Sequence, residues 1–327
     1  MQASRYIVLI VVGLLVVVGG TPVVAQSVDV GGRAYVDYFY NVSSPDADAE
    51  DLHGFTYRRL YLTADFTLSE DFTGRARLEA NEGSVGAEGP MPYVKDLSLT
   101  WDYSGAHSAT LGVTPPPAFE ISEGVWGYRS LEKTILDLQG VVSSRDFGLR
   151  LDGPLAAGGT VRYAVMYANN SGIRPETNPH KRVYGRLSAT PTERLVLVAG
   201  GDYAEYDDQR DRGIRLSGFA GYRGDEIQGG MEVFRSSLTR QNATDTENVG
   251  VSLFGRVQLN PEWELVGRFD WTKDLAPDPA PVETLWLGGV AYRPHPNVAL
   301  IPNLRVRDGD RLAAADTKAR FTVEISF

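Results

Sequence analysis

The sequence predicts an all-β fold: a transmembrane antiparallel β-barrel of about sixteen strands. Three observations carry this. Polar and apolar side chains alternate with period two along sixteen segments, and short and long connections alternate between those segments without a slip. The chain also ends in a strand, "RFTVEISF", whose last residue is the bare aromatic Phe327, where chain ends are ordinarily polar and frayed.

The N-terminal element is expected to be removed. Arg5 precedes the apolar run "IVLIVVGLLVVVGG", and "TPVVAQS" follows with small residues at Val23 and Ala25. That order reads as a secretory signal over residues 1–25, leaving 26–327 as one barrel domain; the other reading is a membrane anchor, for which the run is short. No cysteine occurs, so disulfide staples and a lipidated cysteine are both excluded.

The first strand, "GGRAYVDYFY", sets Ala34, Val36, Tyr38 and Tyr40 against Arg33, Tyr35 and Asp37; the second sets Leu60, Leu62, Ala64 and Phe66 against Arg59, Tyr61, Thr63 and Asp65. The pattern returns in "GRARLEA", "DLSLTWDY", "SATLGVT", "DFGLRLDG", "TVRYAVMYA", "RVYGRLSA", "LVLVAGGDYA", "GIRLSGFAGY", "IQGGMEVF", "VGVSLFGRVQL", "WELVGRFDW", "TLWLGGVAY", "VALIPNLRV" and "ARFTVEISF". Most have the length of a tilted membrane-spanning strand. Short links such as "SED", "SGAH", "TPTE", "RGDE" and "NPE" alternate with long ones such as 115–144, "NNSGIRPETNPH" and "RSSLTRQNATDTEN". Tight periplasmic turns, larger external loops, an even strand number and both ends inside describe an outer-membrane barrel.

A membrane offers no water to an open sheet edge, so the last strand must pair with the first. "RFTVEISF" then turns Ala319, Phe321, Val323, Ile325 and Phe327 to lipid, and Arg320, Thr322, Glu324 and Ser326 to the lumen. Tyr38, Tyr40, Trp101, Tyr103, Trp263, Trp271 and Tyr292 fall near strand ends, at the headgroup level that amphipathic rings favour.

On these residues the chain resembles the phosphate-selective porin O/P family of Gram-negative outer-membrane porins. The resemblance rests on the signal segment, "VGGRAYVDYFY", "FTYRRLYLTADFTLSEDFTGRARLEANEG", "WGYRSLEKTILDL" with "SRDFGLRLDG", and the terminal Phe327, which is similar to the signal read by the barrel-assembly machinery. It implies a sixteen-stranded barrel, usually a homotrimer, with an inward third loop and an arginine-lined passage.

The residues also sketch a pore. A barrel of this strand number is too wide for its side chains to fill. Within 115–144, "RSLEKTILDL" reads as a short amphipathic helix with Leu131, Ile135 and Leu138 on one side and Arg129, Glu132, Lys133 and Asp137 elsewhere, the charged set forming the constriction. The other reading is an external loop packed on itself. Alternation turns Arg33, Arg59, Arg75, Arg77, Arg150, Arg162, Arg186, Arg215, Arg256, Arg268, Arg305, Arg307 and Arg320 inward, together with acids that include Asp37, Asp65, Glu79, Asp102, Glu232, Glu264, Asp270 and Glu324. Part of this set is a solvated ladder of ion pairs and the remainder biases the pore toward anions.

The formal net charge of −10 argues against a nucleic-acid partner, which needs a basic field. Acidic runs in "SSPDADAEDLHG" and "EYDDQRDRG" read as solvated external loops, with divalent bridges to lipopolysaccharide as the other reading. His53, His107, His180 and His295 fall in no catalytic or metal-binding pattern, so no catalytic residue, metal or cofactor is assigned. The expected function is passive diffusion of small hydrophilic, chiefly anionic, solutes through the outer membrane. The rival readings are a soluble periplasmic β protein and a barrel serving as adhesin or anchor.

Overall fold

The computed structural model describes residues 27–86, 89–155, 157–206, 211–240, 244–276 and 279–327. The expected signal segment lies outside the described residues. Sixteen strands form the wall: β1 (Ser27–Ser43), β2 (His53–Thr67), β3 (Phe72–Asn81), β4 (Tyr93–Ser104), β5 (His107–Thr114), β6 (Asp146–Pro154), β7 (Val161–Ala168), β8 (Arg182–Ala189), β9 (Leu195–Glu205), β10 (Arg212–Arg223), β11 (Ile227–Thr239), β12 (Thr246–Asn260), β13 (Trp263–Asp274), β14 (Val282–His295), β15 (Val298–Gly309) and β16 (Asp316–Ser326). Each pairs antiparallel with its sequence neighbours, and β16 pairs with β1 to close the barrel.

Several strands run further than alternation indicates. The "RSSLTRQNATDTEN" connection shrinks to 240–245 and "TKDLAPDPAPVE" to 275–281. Beyond the bilayer both faces of a hairpin meet water, so the backbone ladder continues where no alternating pattern marks it. The connection after β3 holds a minimal hairpin of Val85–Gly86 with Gly89–Pro90.

The outer face is a belt of exposed apolar side chains, among them Leu62, Leu99, Leu216, Leu253, Trp286 and Phe321. Its rims are aromatic. Trp263 stacks on Tyr292 with ring centroids 4.5 Å apart, and Phe72 on Trp101 at 6.0 Å; at the opposite end Tyr38 meets Phe55 at 5.0 Å. Such a surface suits hydrocarbon between two headgroup layers.

The last residue extends the closing ladder. The Phe327 N–H donates to the Gly32 carbonyl (3.1 Å), and the Gly32 N–H donates to the Phe327 carbonyl (2.7 Å). The Phe327 ring lies over Gly32, where any side chain would overlap the ring and come within 2.8 Å of the Tyr61 carbonyl. Phe66 covers Gly74 in the same manner. The aromatic thus shields backbone that glycine leaves bare at the seam.

Deleting Phe327, or replacing Gly32 by valine, is expected to lower the amount of heat-modifiable barrel in outer-membrane extracts several-fold. The molecules that do assemble should keep the wild-type single-channel conductance, because both residues face lipid.

Candidate functional site in the barrel lumen

The long connection between β5 and β6 folds into the barrel. It carries α1 (Glu120–Trp126) and a single turn, α2 (Ile135–Leu138). Glu120 and Glu123 sit in the first turn of α1, where the macrodipole favours acids, and Gly127 ends it with a left-handed φ of 72° that a non-glycine residue adopts at a cost.

The helix expected over "RSLEKTILDL" is therefore confined to its last turn. Residues 129–131 form a turn and 132–134 are irregular, because side chains claim the carbonyls a helix would use. Arg58 donates to the Ser130 carbonyl, Arg268 to that of Lys133, and Trp126 Nε1 to that of Glu132 (2.9 Å). The apolar contacts shift accordingly: Leu131, Ile135 and Leu136 are fully buried, whereas Leu138 is only half-buried.

Two apolar clusters seat the loop on one half of the wall. Val125, Trp126, Tyr128 and Leu131 pack on Val196, Phe219, Phe254, Val266, Leu287, Ala291, Ala299 and Ile301 of β9–β15. Phe119, Ile135, Leu136 and Val142 pack on Met166, Ala168, Tyr184 and Phe234 of β7–β11. Polar wall groups beneath the loop bond to it: Ser122 donates to Glu232 (2.8 Å), Tyr128 to Glu264, and Gln228 to the Val125 carbonyl (2.7 Å). Arg150 and Arg186 grip Glu120, each at 2.7 Å. Ser252, Arg215, Glu232 and Asp270 are sealed under this cover.

The uncovered half, β1–β5, bounds the open space. At its waist is a cavity of about 240 Å³ whose lining includes the cations Arg33, Arg77, Lys95, Arg129 and Arg145 and the carboxylates Glu123 and Asp137. Toward the turn ends of β2–β5 lies a cavity of about 400 Å³, lined by Asp29, Asp65, Asp96 and Asp152, by Arg75 and Arg150, and by several hydroxyls. Asp96 joins the two spaces, pairing with Arg77 (3.3 Å) and with Arg145 of the waist.

The expected constriction set divides. Arg129 and Asp137 line the waist, 3.2 Å apart, and Lys133 joins Asp137 at 3.4 Å. Glu132 turns away to Arg305 (3.0 Å). Burial pushes the Glu132 carboxyl up, but the Arg305 and Arg268 cations pull it down further, leaving it below the ordinary carboxylate range.

The inward arginines are mostly engaged by carboxylates: Arg33 by Glu324 (3.8 Å), Arg59 by Glu79 (3.3 Å), Arg75 by Asp65 (2.6 Å), Arg77 by Asp96, Arg150 and Arg186 by Glu120 and Asp152, and Arg215 by Asp202. Arg256 pairs with Glu264 (2.5 Å), Arg268 with Asp270 (2.6 Å), Arg305 with Glu132 and Asp316, and Arg307 with Glu283 (2.6 Å). Arg162 donates to the Ala106 carbonyl (3.5 Å) at the turn end of β7. Arg320 stands on the inward face of β16 directly opposite Asn303. Most of the set is thus a paired ladder, and Arg215 and Arg268 are covered by the loop.

Period-two reading misses Arg58 and Lys95. A bulge in the β1–β2 ladder aligns Tyr35 with Arg59 and Val36 with Tyr57, so the intervening Arg58 also turns inward, to Asp37 and to the loop. A second bulge between β3 and β4 does the same for Lys95, which reaches Glu79 (2.9 Å) and Ser144 (3.0 Å). The signal was present: "RR" at 58–59 and "KD" at 95–96 are adjacent charges that strict alternation would send one to lipid.

No family model matches this chain, and no curated protein matches it. Solved structures do. The chain is similar to an anion-selective porin from Comamonas acidovorans (TM-score 0.70, 14% identity, covering 92% of this chain and 99% of that one). It is also similar to the outer membrane channel DcaP of Acinetobacter baumannii (TM-score 0.66, 12% identity, 92% and 97% covered) and to the trimer form of OmpT, an outer membrane protein of Vibrio cholerae (TM-score 0.66, 13% identity, 92% and 99% covered). At these identities the likeness establishes the shared barrel fold.

Because its carboxyl is depressed when docked, Glu132 stabilises the docked loop above the ordinary carboxylate range, and that contribution is lost as pH falls through the depressed value. Single-channel noise at an acidic pH below about 4 should therefore exceed that at pH 7, and Glu132→Gln should flatten the dependence. Trp126→Ala should loosen the loop by about 3–5 kcal/mol, read as increased protease cleavage within 115–145.

Proposed function

We propose that this chain forms a water-filled channel in the outer membrane of a Gram-negative cell, through which small hydrophilic solutes diffuse passively with a preference for anions. The reading is supported by one observation above all: cations around the open waist share their carboxylates, Arg77 and Arg145 sharing Asp96, Arg59 and Lys95 sharing Glu79, and Arg129 and Lys133 sharing Asp137, so the cations outnumber the acids that pair them. In a passage this narrow, an unpaired charge about 4 Å from an ion is worth roughly 4 kcal/mol at an effective dielectric near 20. A small local excess therefore decides which ion enters.

The acidic whole-chain charge acts elsewhere. The run from Asp46 to Asp51 lies in and beside the short 3-10 turn Ala47–Ala49 of the first long loop, at the opposite end of β2 from Asp65. The intervening strand is long compared with a Debye length of about 8 Å at physiological salt. Paired arginines on the wall stiffen the barrel, and the waist supplies selectivity.

The same reading includes export by the signal segment 1–25, delivery by the barrel-assembly machinery through Phe327, contact with outer-membrane lipid and lipopolysaccharide, and assembly as a homotrimer. It assigns no catalysis. Likeness to porins in general supports it; the narrower tie to phosphate-selective porins rests on the segments quoted from the sequence, and the lumen's arginine-rich, lysine-poor character leaves inorganic phosphate as one anion among several.

In a potassium chloride gradient across a planar bilayer, the reversal potential is expected to show chloride preference. Arg77→Gln with Arg129→Gln should lower the chloride-to-potassium permeability ratio several-fold in a barrel that remains heat-modifiable. A cation-preferring wild type contradicts the reading, and a folded barrel with no conductance makes it an anchor.

A further inference from the structure

We propose that the solutes favoured by this passage are hydroxylated organic anions, of the sugar-acid class, received by a threonine row below the waist; the inference rests on the channel reading above.

The row follows from strand register. Thr67 of β2 pairs with Thr73 of β3, Thr73 with Thr100 of β4, and Thr100 with Thr110 of β5, which in turn lies opposite Arg150 of β6. Four threonines on four adjacent strands therefore stand side by side, about 4.8 Å apart, and all four registers are uninterrupted at this level. Thr67, Thr73, Thr100, Thr110 and Arg150 all line the larger cavity. This half of the wall is the one the loop leaves bare.

Each hydroxyl offers one donor and two acceptor lone pairs. The Thr100 and Thr110 hydroxyls are 2.8 Å apart and bond to each other, which still leaves one donor and several lone pairs of that pair facing the cavity. A chloride ion uses none of this directional capacity beyond a donor or two. A chain or ring of adjacent hydroxyls uses it along the whole row, and trades its bonds to water for bonds to the wall.

The anionic end has its own partner. Arg75 lies two residues from Thr73 on the same face of β3, about 7 Å along the strand, and its side chain is 44% exposed although it pairs with Asp65. Of the four carboxylates that line this cavity, Asp29 among them, Asp96 is held by Arg77 and Arg145, Asp152 by Arg150 and Arg186, and Asp65 by Nε and Nη2 of Arg75. The remaining edge of the Arg75 guanidinium can therefore take a carboxylate while the solute body lies across the row and its hydroxyls donate to Asp65 and Asp152. An aliphatic acid of the same size would desolvate these hydroxyls and return nothing, which is where discrimination arises. The waist selects charge, and the row selects hydroxylation.

The test compares glucuronate with cyclohexanecarboxylate, two six-membered-ring carboxylates that differ in hydroxyls and in one ring oxygen, by their permeabilities relative to chloride in bi-ionic planar-bilayer recordings. Wild type should favour glucuronate several-fold. The triple variant Thr73→Val, Thr100→Val, Thr110→Val keeps β-branched side chains in the strands and should cut that advantage by about fivefold, the factor carried by one net hydrogen bond. A wild-type ratio at or below one overturns the proposal without any variant, as does an unchanged ratio in the triple variant or, should that not assemble, in Thr110→Val alone. A barrel that conducts chloride but does not discriminate the two acids defeats this inference only; a barrel that conducts nothing defeats the channel reading beneath it.

Discussion

A ring of sixteen strands encloses more space than its own inward side chains fill, so what occupies that space decides what the barrel can do. Here the occupant is the segment between β5 and β6, held by burial of Val125, Trp126, Tyr128, Leu131, Ile135 and Leu136 against apolar residues of β7–β15. Complete burial of such side chains is worth roughly 1.5–3 kcal/mol each, far more than the exposed ion pairs of the rim. The polar contacts then set the loop's orientation: Ser122 on Glu232, Tyr128 on Glu264, and Arg58 reaching from the opposite wall to the Ser130 carbonyl.

From that placement the lumen acquires two unlike halves. On the covered side, charged groups such as Arg215, Asp202, Arg268 and Asp270 are removed from water, a condition they meet only because each is paired. On the open side, Arg33, Arg75, Arg77 and the threonines of β2–β5 keep their contact with solvent. On the channel reading, the arginines open to a solute are therefore a minority of those that alternation turns inward.

How much of this could be read from residues alone depends on the range of the interaction. Strand number, the order of short and long links and the closing role of "RFTVEISF" are local or pairwise patterns, and the barrel reproduces them. Arg58 and Lys95 escaped because a bulge is specified by both strands of a pair, and one strand's period does not contain it. The helical turn at 129–134 failed for a longer-range reason: Arg58 and Arg268, distant in sequence, compete for its carbonyls. Nothing in "GRARLEA" or "VGRFDW" distinguishes the exposed wall from the covered one, since both read as alternating strands until the loop chooses a side.

The chain's lack of cysteine permits a direct test of that choice. Single cysteines at Ser98 and Thr67, on the open wall, and at Ser252, sealed beneath the loop, can be challenged in assembled channels with a small water-soluble thiol reagent while current is recorded. The account predicts rapid modification and a stepwise loss of current at Ser98→Cys and Thr67→Cys, with Ser252→Cys protected until the loop is loosened by Trp126→Ala. Equal reactivity on the two walls would mean that the loop does not rest where its apolar clusters place it, and the division of the lumen would fall with it.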